Sequence, residues 1–247
     1  LLDATMKTDL ITAFMEFTNA AKLSDVGTTS KSINSANWNQ DTIDNKVYHG
    51  FNPIGNGGTN GAFTGSFDGF GGDATHTISN LTINRPTEDN VGLFAVVGAT
   101  GNAGSITRAF ISKGKITGQN SVGSIAGQLT NGSTLSWSHA LGDGINGTID
   151  ATSGYVKVAE TGGRTNIGGL VGSVTGSSTI YASDNSTTVI GQTDDEHINV
   201  TNVGGIAGYM EATSKATNIT NAGNVFGEEA TGGLVGYGTN SEIGVDS

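Results

Sequence analysis

A glycine-centred hexapeptide recurs along this chain, and no other feature restricts its fold as strongly. Residues 167–172 read IGGLVG, and close copies stand at 122–127 (VGSIAG), 203–208 (VGGIAG) and 231–236 (TGGLVG). A looser copy, VGLFAV, begins at Val91. A nucleotide-binding loop occurs once, between a strand and a helix, and its glycines lead into a Lys-Ser/Thr pair. None of these copies carries that pair. The first glycines of the copies (Gly92, Gly123, Gly168, Gly204 and Gly232) lie 31, 45, 36 and 28 residues apart. Such periods belong to stacked-repeat architectures, with insertions in the longer intervals.

A second kind of segment follows the hexapeptides. It opens with Ser or Thr and closes on an aliphatic and Gly: SITRAFISKGKITG from Ser105, STLSWSHALGDGING from Ser133, STIYASDNSTTVIG from Ser178 and SKATNITNAGNVFG from Ser214. Short runs rich in Ile, Val and Thr suit a pleated surface. Asn and Ser supply turn hydrogen bonds, and Gly allows the positive φ of a sharp corner. Each repeat is therefore expected to give about three short strands, one at the hexapeptide and two after it. Successive coils then stack in parallel about 4.8 Å apart. Ile125, Leu170, Ile206 and Leu234 form one expected interior column, and Val122, Ile167, Val203 and Thr231 another. Strict alternation would put Val122 and Ile125 on opposite faces. A corner at the glycine pair resolves this.

Composition removes several classes of function. The 247 residues include 40 Gly, two Pro and no Cys, and only 13% are charged. No Gly-X-Y period is present, so the glycine is not collagenous. The net charge of −11 opposes phosphate backbones and anionic bilayers, so neither nucleic acid nor a membrane surface is an expected partner. No stretch approaches 18 consecutive apolar residues, so no membrane insertion by this segment is expected. Without Cys there is no disulfide framework, thiolate metal site or thiol nucleophile.

The expected organisation is an N-terminal lead-in over 1–50 and a β-solenoid over 51–247. Within 3–22, Met6, Leu10, Ala13, Phe14, Phe17 and Ala21 follow helical spacing. A helix there would cap the first coil and protect its unpaired edge. The chain begins at Leu1 and ends at Ser247 in mid-pattern, which reads as a piece of a longer protein. Without a matching C-terminal cap, end-to-end or lateral self-association is an expected hazard. The longest insertions, about 143–165 and 192–202, are the loops where binding is first expected.

Residues 51–94 read FNPIGNGGTNGAFTGSFDGFGGDATHTISNLTINRPTEDNVGLF. This resembles bacterial surface proteins that carry the glycine-leucine-any-glycine (GLUG) repeat. The likeness rests on Pro53, Ile54 and Gly55, on Phe63, Thr64 and Gly65, on Phe67, Asp68 and Gly69, on residues 76–83, and on 91–94. The later GGLVG and GGIAG copies extend it over roughly 50–240. Two departures, the longer GFGGDATH step and Ala95 in place of a closing glycine, affect local corners. The resemblance implies an all-β, right-handed parallel β-helix. It also implies export to the cell surface of a bacterium, as in filamentous-haemagglutinin-like adhesins or autotransporter passengers. The implied partner is a glycan or protein on a host or neighbouring cell.

The chemistry-bearing residues are sparse. Asp194, Asp195, Glu196 and His197 form the densest ionisable cluster, either a metal or acid-base site or a solvated loop; the solvated loop is the simpler reading, since functional carboxylates need burial or close partners. His49, His76, His139 and His197 have no i, i+4 pair, so zinc is not indicated. FGGDATHTI and LGDGINGTID faintly resemble calcium-binding nonapeptides but lack tandem repetition, so calcium is at most a minor cofactor. Tyr209 and Tyr237 follow the hexapeptide at the positions of Gln128 and Ser173 in earlier coils. They would be neighbours in a stack, either as a stabilising ladder or as a sugar-stacking platform. Six Asn-x-Ser/Thr sequons begin at Asn80, Asn131, Asn146, Asn185, Asn199 and Asn218. The expected function is a non-enzymatic segment of an adhesin or surface-fibre protein that mediates attachment or cell-cell contact. A polysaccharide-acting enzyme and a passive spacer are the alternatives.

Overall fold

The structure is a computed structural model that describes residues 50–55, 61–71, 74–142, 155–158, 164–191 and 200–244. Two compact units divide the chain, Leu1–Phe51 and Asn52–Ser247. The capping helix expected over 3–22 lies outside the described residues. In the second unit the described secondary structure is all β, and the strands build a parallel solenoid.

Four faces recur in chain order around each coil. The first contains Phe94–Val97, Ala126–Leu129, Val171–Val174, Ala207–Met210 and Val235–Gly238. The second contains Ser66–Asp68, Ser105–Thr107, Thr134–Ser136, Thr179–Tyr181, Lys215–Thr217 and Glu242–Gly244. Thr77–Ser79, Phe110–Ser112, His139–Leu141, Asp184–Asn185 and Thr220–Asn221 make the third. Thr82–Asn84, Lys115–Gly118, Tyr155–Val158, Thr188–Gly191 and Val225–Gly227 make the fourth. A fifth face, Arg164–Gly168, Val200–Gly204 and Glu229–Gly232, adds a rung to the later coils. A small hairpin, Phe70–Gly71 with Ala74–Thr75, is antiparallel. The expectation of three strands per repeat is thus too low. The segment after the hexapeptide holds three strands, because corners at Arg108 and Lys113 (φ 54° and 56°) split what reads as two runs.

Both expected columns are present. The Ile125 N–H donates to the Leu170 carbonyl (3.0 Å), Leu170 to Ile206 (3.0 Å) and Ile206 to Leu234 (2.8 Å). The first three side chains are fully buried. Val122 bridges Ile167, which pairs with Val203, which pairs with Thr231; the first three are fully buried, whereas Thr231 in the last coil is exposed. Ile106, Leu135 and Ile180 form a further column under the second face, and Ile83, Ile116, Val156 and Val189 another under the fourth. Each such side chain contributes about 1.5–3 kcal/mol on burial.

The hexapeptide glycines act by size, not by torsion. None of them has positive φ. The left-handed residue is the one just before each copy: Asn90, Ser121, Asn166, Asn202 and Ala230, with φ between 48° and 65°. A bend then follows at Ser124–Ile125 and its equivalents, which lets Val122 and Ile125 both face inward. The closing glycines pack against the left-handed residue of the coil below. A Cβ on Gly172 would lie 2.2 Å from the Ser121 carbonyl carbon, and one on Gly208 would lie 2.3 Å from the Ile167 nitrogen. The first copy is one residue shorter, since Val91 pairs with Val122 but Phe94 pairs with Ala126. Ala95 therefore occupies the closing-glycine position, 2% exposed.

Polar residues also enter the core, in ladders. The Asn185 amide accepts from Thr187 N–H (3.0 Å), donates to the Thr187 carbonyl (3.0 Å) and donates to Asn221 Oδ1 (2.9 Å). The second glycine of the hexapeptide makes room for these amides. A Cβ on Gly169 would sit 2.5 Å from Asn185, and one on Gly205 would sit 2.3 Å from Asn221. In the preceding coil that glycine is Ser124, and the column partner of Asn185 is the smaller Ala140.

Candidate functional site

With the interior filled, recognition falls to outward-facing side chains. The outward row on the first face runs Val96, Gln128, Ser173, Tyr209 and Tyr237 in register. The two tyrosines stack as expected, with centroids 6.1 Å apart and planes 9° from parallel. Tyr237 is 49% exposed. Asp194 and Asp195, with Glu196 and His197, lie outside the described residues, as do His49 and most of both long insertions. Among the described residues no group of three His, Asp or Glu could hold a metal. His76 is exposed, and its backbone N–H donates to the Gly69 carbonyl (2.9 Å), closing the hairpin.

A second cluster escapes the sequence reading. It lies along the corner between the second and third faces, where Arg108, Trp137, Ala182 and Asn218 all have positive φ. Stacking aligns these corners, as the Arg108 N–H donates to the Ser136 carbonyl (3.0 Å) and the Trp137 N–H to the Tyr181 carbonyl (3.1 Å). The left-handed turn points Trp137 outward, and it is 53% exposed. Its ring meets Tyr181 edge-on at 5.8 Å. One coil below, the Arg108 guanidinium lies 5.0 Å from the Phe70 ring centroid, a cation–π contact. Its Nε donates to Asp68 Oδ1 at 2.8 Å, and a second nitrogen pairs with Asp68 Oδ2. The Arg108 hydrogen bond, and then the Phe70 backbone N–H, hold the Asp68 carboxyl below its usual range. The same hydrogen bond raises Arg108. On the third face Phe110 lies against His139 at 4.5 Å, and His139 Nδ1 pairs with Asp184.

The signal for this cluster is in the sequence. STLSWSHAL from Ser133 and STIYASDNS from Ser178 superpose residue for residue, placing His139 over Asp184. The segment from Ser105 is one residue out of that frame, because Ser105 pairs with Thr134. In the corrected frame Phe110 stands over His139.

The described sequons divide by exposure. Asn80, Asn131 and Asn218 are exposed and left-handed, whereas Asn185 is 1% exposed.

No known protein family matches the chain, and no solved structure matches it. Among curated proteins, halomucin of Haloquadratum walsbyi (strain DSM 16790 / HBSQ001) is 38% identical over 112 residues. The match covers 42% of this chain and 1% of halomucin. The chain therefore corresponds to a very small part of that relative.

Proposed function

We propose that this chain is a non-enzymatic, extracellular segment of a surface-fibre or adhesin-type protein, whose solenoid mediates attachment along its lateral faces. The carrying observation is the in-register stack of coils, which repeats each outward position at every rung and leaves Trp137 and Tyr237 about half exposed. Such a surface makes shallow contacts, and many copies raise avidity without tight single sites. The likeness to a segment of halomucin, a name that denotes a mucin, supports an extracellular or surface location. The GLUG-type resemblance supports the same location and an adhesive role. The winding is right-handed, the sense that parallel crossovers adopt in nearly all sheets. The partner is a glycan or protein of a neighbouring surface.

Two measurements test this together. Antibody against the segment should label intact, unpermeabilised cells of its source. Beads coated with the segment should adhere to those cells more than beads coated with a scrambled-surface control. Labelling only after permeabilisation, or equal adhesion of both beads, refutes the reading.

A further inference from the structure

We infer that the corner between the second and third faces is a binding strip for an uncharged saccharide chain. This rests on the reading of the segment as an extracellular attachment surface and names the ligand class of one part of it.

The strip runs through Phe70, Arg108, Trp137, Tyr181, His139 and Asp184, in four consecutive coils. At about 4.8 Å per coil it extends roughly 14 Å, the span of about three pyranose rings. Its width is one corner. A stable protein interface draws on about 20–30 residues from each partner, against six here, so an extended chain fits this strip better than a folded partner. Its one permanent cation is compensated, because Arg108 is held by Asp68, and His139 Nδ1 is held by Asp184. An anionic polymer finds no uncompensated cation among these residues, and the chain as a whole carries −11. An anionic ligand is thus disfavoured, and the exposed rings of the strip favour an uncharged saccharide.

The chemistry of the strip matches a sugar on both counts. A pyranose has an apolar C–H face and a rim of hydroxyls. Phe70 and Trp137 are exposed aromatic side chains, 45% and 53% accessible, with one Phe70 face taken by the Arg108 guanidinium, and aromatic rings pair an apolar body with local polarity. Along the same strip, the Asp68 and Asp184 carboxylates and the Arg108 guanidinium sit partly exposed and already fixed in pairs. Directly alongside, Thr107 and Ser136 turn their hydroxyls outward within 3.3 Å of each other. Rings in three of the four coils thus stand beside hydrogen-bonding groups. Pre-pairing lowers the ordering cost of binding.

Trp137 also reports on the strip. The chain has two tryptophans, so the full chain with Trp38→Phe leaves one emitter. Neutral oligosaccharides of one to six pyranose units, glucose- and N-acetylglucosamine-based, are titrated against it, beside uronic-acid and sulfated counterparts. The expected result is a change in Trp137 emission with neutral oligomers, an affinity that climbs up to about three units and then levels, and no response to the acidic series. Calorimetry should show a tenfold or greater loss in Tyr181→Ala and Trp137→Ala, retention in Trp137→Phe, and no change in Tyr237→Ala. Circular dichroism confirms that each variant is folded; Tyr181→Ala and Trp137→Phe keep the test decisive if Trp137→Ala is not. Silence across the neutral panel, preference for the acidic series, or unaltered binding in both alanine variants overturns the inference. A segment that labels at the surface and adheres to cells yet binds no saccharide overturns this inference alone and leaves the attachment role standing.

Discussion

Gly172→Ala tests the central packing claim, because backbone preference and packing predict opposite signs. Gly172 lies in a strand with ordinary φ, where Ala is favoured over Gly by about 0.5–1 kcal/mol on entropy alone. Packing says the reverse. The added Cβ would meet the Ser121 carbonyl carbon at 2.2 Å, the Val122 nitrogen at 2.4 Å and the Ser121 Cα at 2.5 Å. All three are backbone atoms of the coil below, so no rotamer relieves the contact. Ordinary contact begins near 3.4 Å, and the two coils must part by about 1 Å. The Ser121 and Val122 amides are bonded to Thr165 and Asn166 at 2.9 and 3.0 Å, and such a retreat breaks both. Each buried amide left unpaired costs about 1–3 kcal/mol. Net of the entropy gain, Gly172→Ala should cost about 3 kcal/mol, a large share of the 5–15 kcal/mol typical of a domain. Gly233→Ala is the matched control, since its Cβ would meet nothing within 4 Å; it should be neutral or slightly stabilising. Urea unfolding followed by circular dichroism gives both values from the shift in midpoint at constant slope. Hydrogen exchange at Val122 localises the effect, because solenoids can unfold coil by coil. A Gly172→Ala protein within about 0.5 kcal/mol of the parent, or a Gly233→Ala protein equally weakened, refutes glycine-as-spacer.

Four further outcomes follow from named contacts. Asn185→Ala strips the buried Thr187 N–H and Asn221 of their partners and should cost about 3 kcal/mol by urea unfolding. Arg108→Met should move the Asp68 titration, followed by carboxyl NMR, back up toward its usual value. In the parent, Asp68 is depressed in the folded state, so its contribution to stability is present above its unfolded value near 3.9 and fades as pH falls through the lower folded value; the variant should keep only the smaller part that the Phe70 N–H supplies. Folded protein made in a glycosylating host should show sugar at Asn80 or Asn218 and none at the buried Asn185, read by peptide mass spectrometry. Trp137→Asn places in the corner a residue that tolerates positive φ, as Asn218 does in the same column. It should stay within about 1 kcal/mol of the parent by thermal unfolding, against the 3–5 kcal/mol lost when a buried Trp is truncated.

Legibility in the sequence followed how directly a residue's chemistry depends on its place in the coil. The interior columns were readable because these buried positions are filled by aliphatics, and Ile125, Leu170 and Ile206 recur at the glycine period. The tyrosine pair was readable for the same reason, since Tyr209 and Tyr237 keep a constant offset from the hexapeptide. The corners were not readable. Left-handed φ falls on Asn at many corners but equally on Ser121, Arg108, Lys113, Trp137 and Ala182, which share no side-chain property. Stacking imposes that torsion on whatever residue stands there, and only Asn and Gly advertise it in advance. The hexapeptide glycines misled for the converse reason. Glycine suggests positive φ, but here it serves close approach, a property of the neighbouring coil that no local window contains. The Asn185 ladder was hidden likewise, because its room comes from Gly169, sixteen residues earlier.

The same reasoning separates corners that are explained by the fold from one that is not. Asn218 suits left-handed backbone, and Ala182 is small enough to do little harm. Arg108 gains a guanidinium partner in Asp68 and a ring in Phe70. Trp137 gains the least for its position. A bulky residue at φ 53° is strained, and over half of its surface remains in water, so burial does not offset that strain. Its edge contact with Tyr181 is of a kind worth only about 0.5–1.5 kcal/mol. Strain held at an exposed aromatic points to what the ring presents, because an observed outlier is legitimate ground for a functional hypothesis. The corner's inner neighbours, Leu135 and Ser138, are fully buried, and their packing fixes the ring's direction. Trp137 is therefore the position where the coil holds an unfavourable local geometry to keep an aromatic face in solvent, beside paired charges and hydroxyls that a sugar's rim can engage.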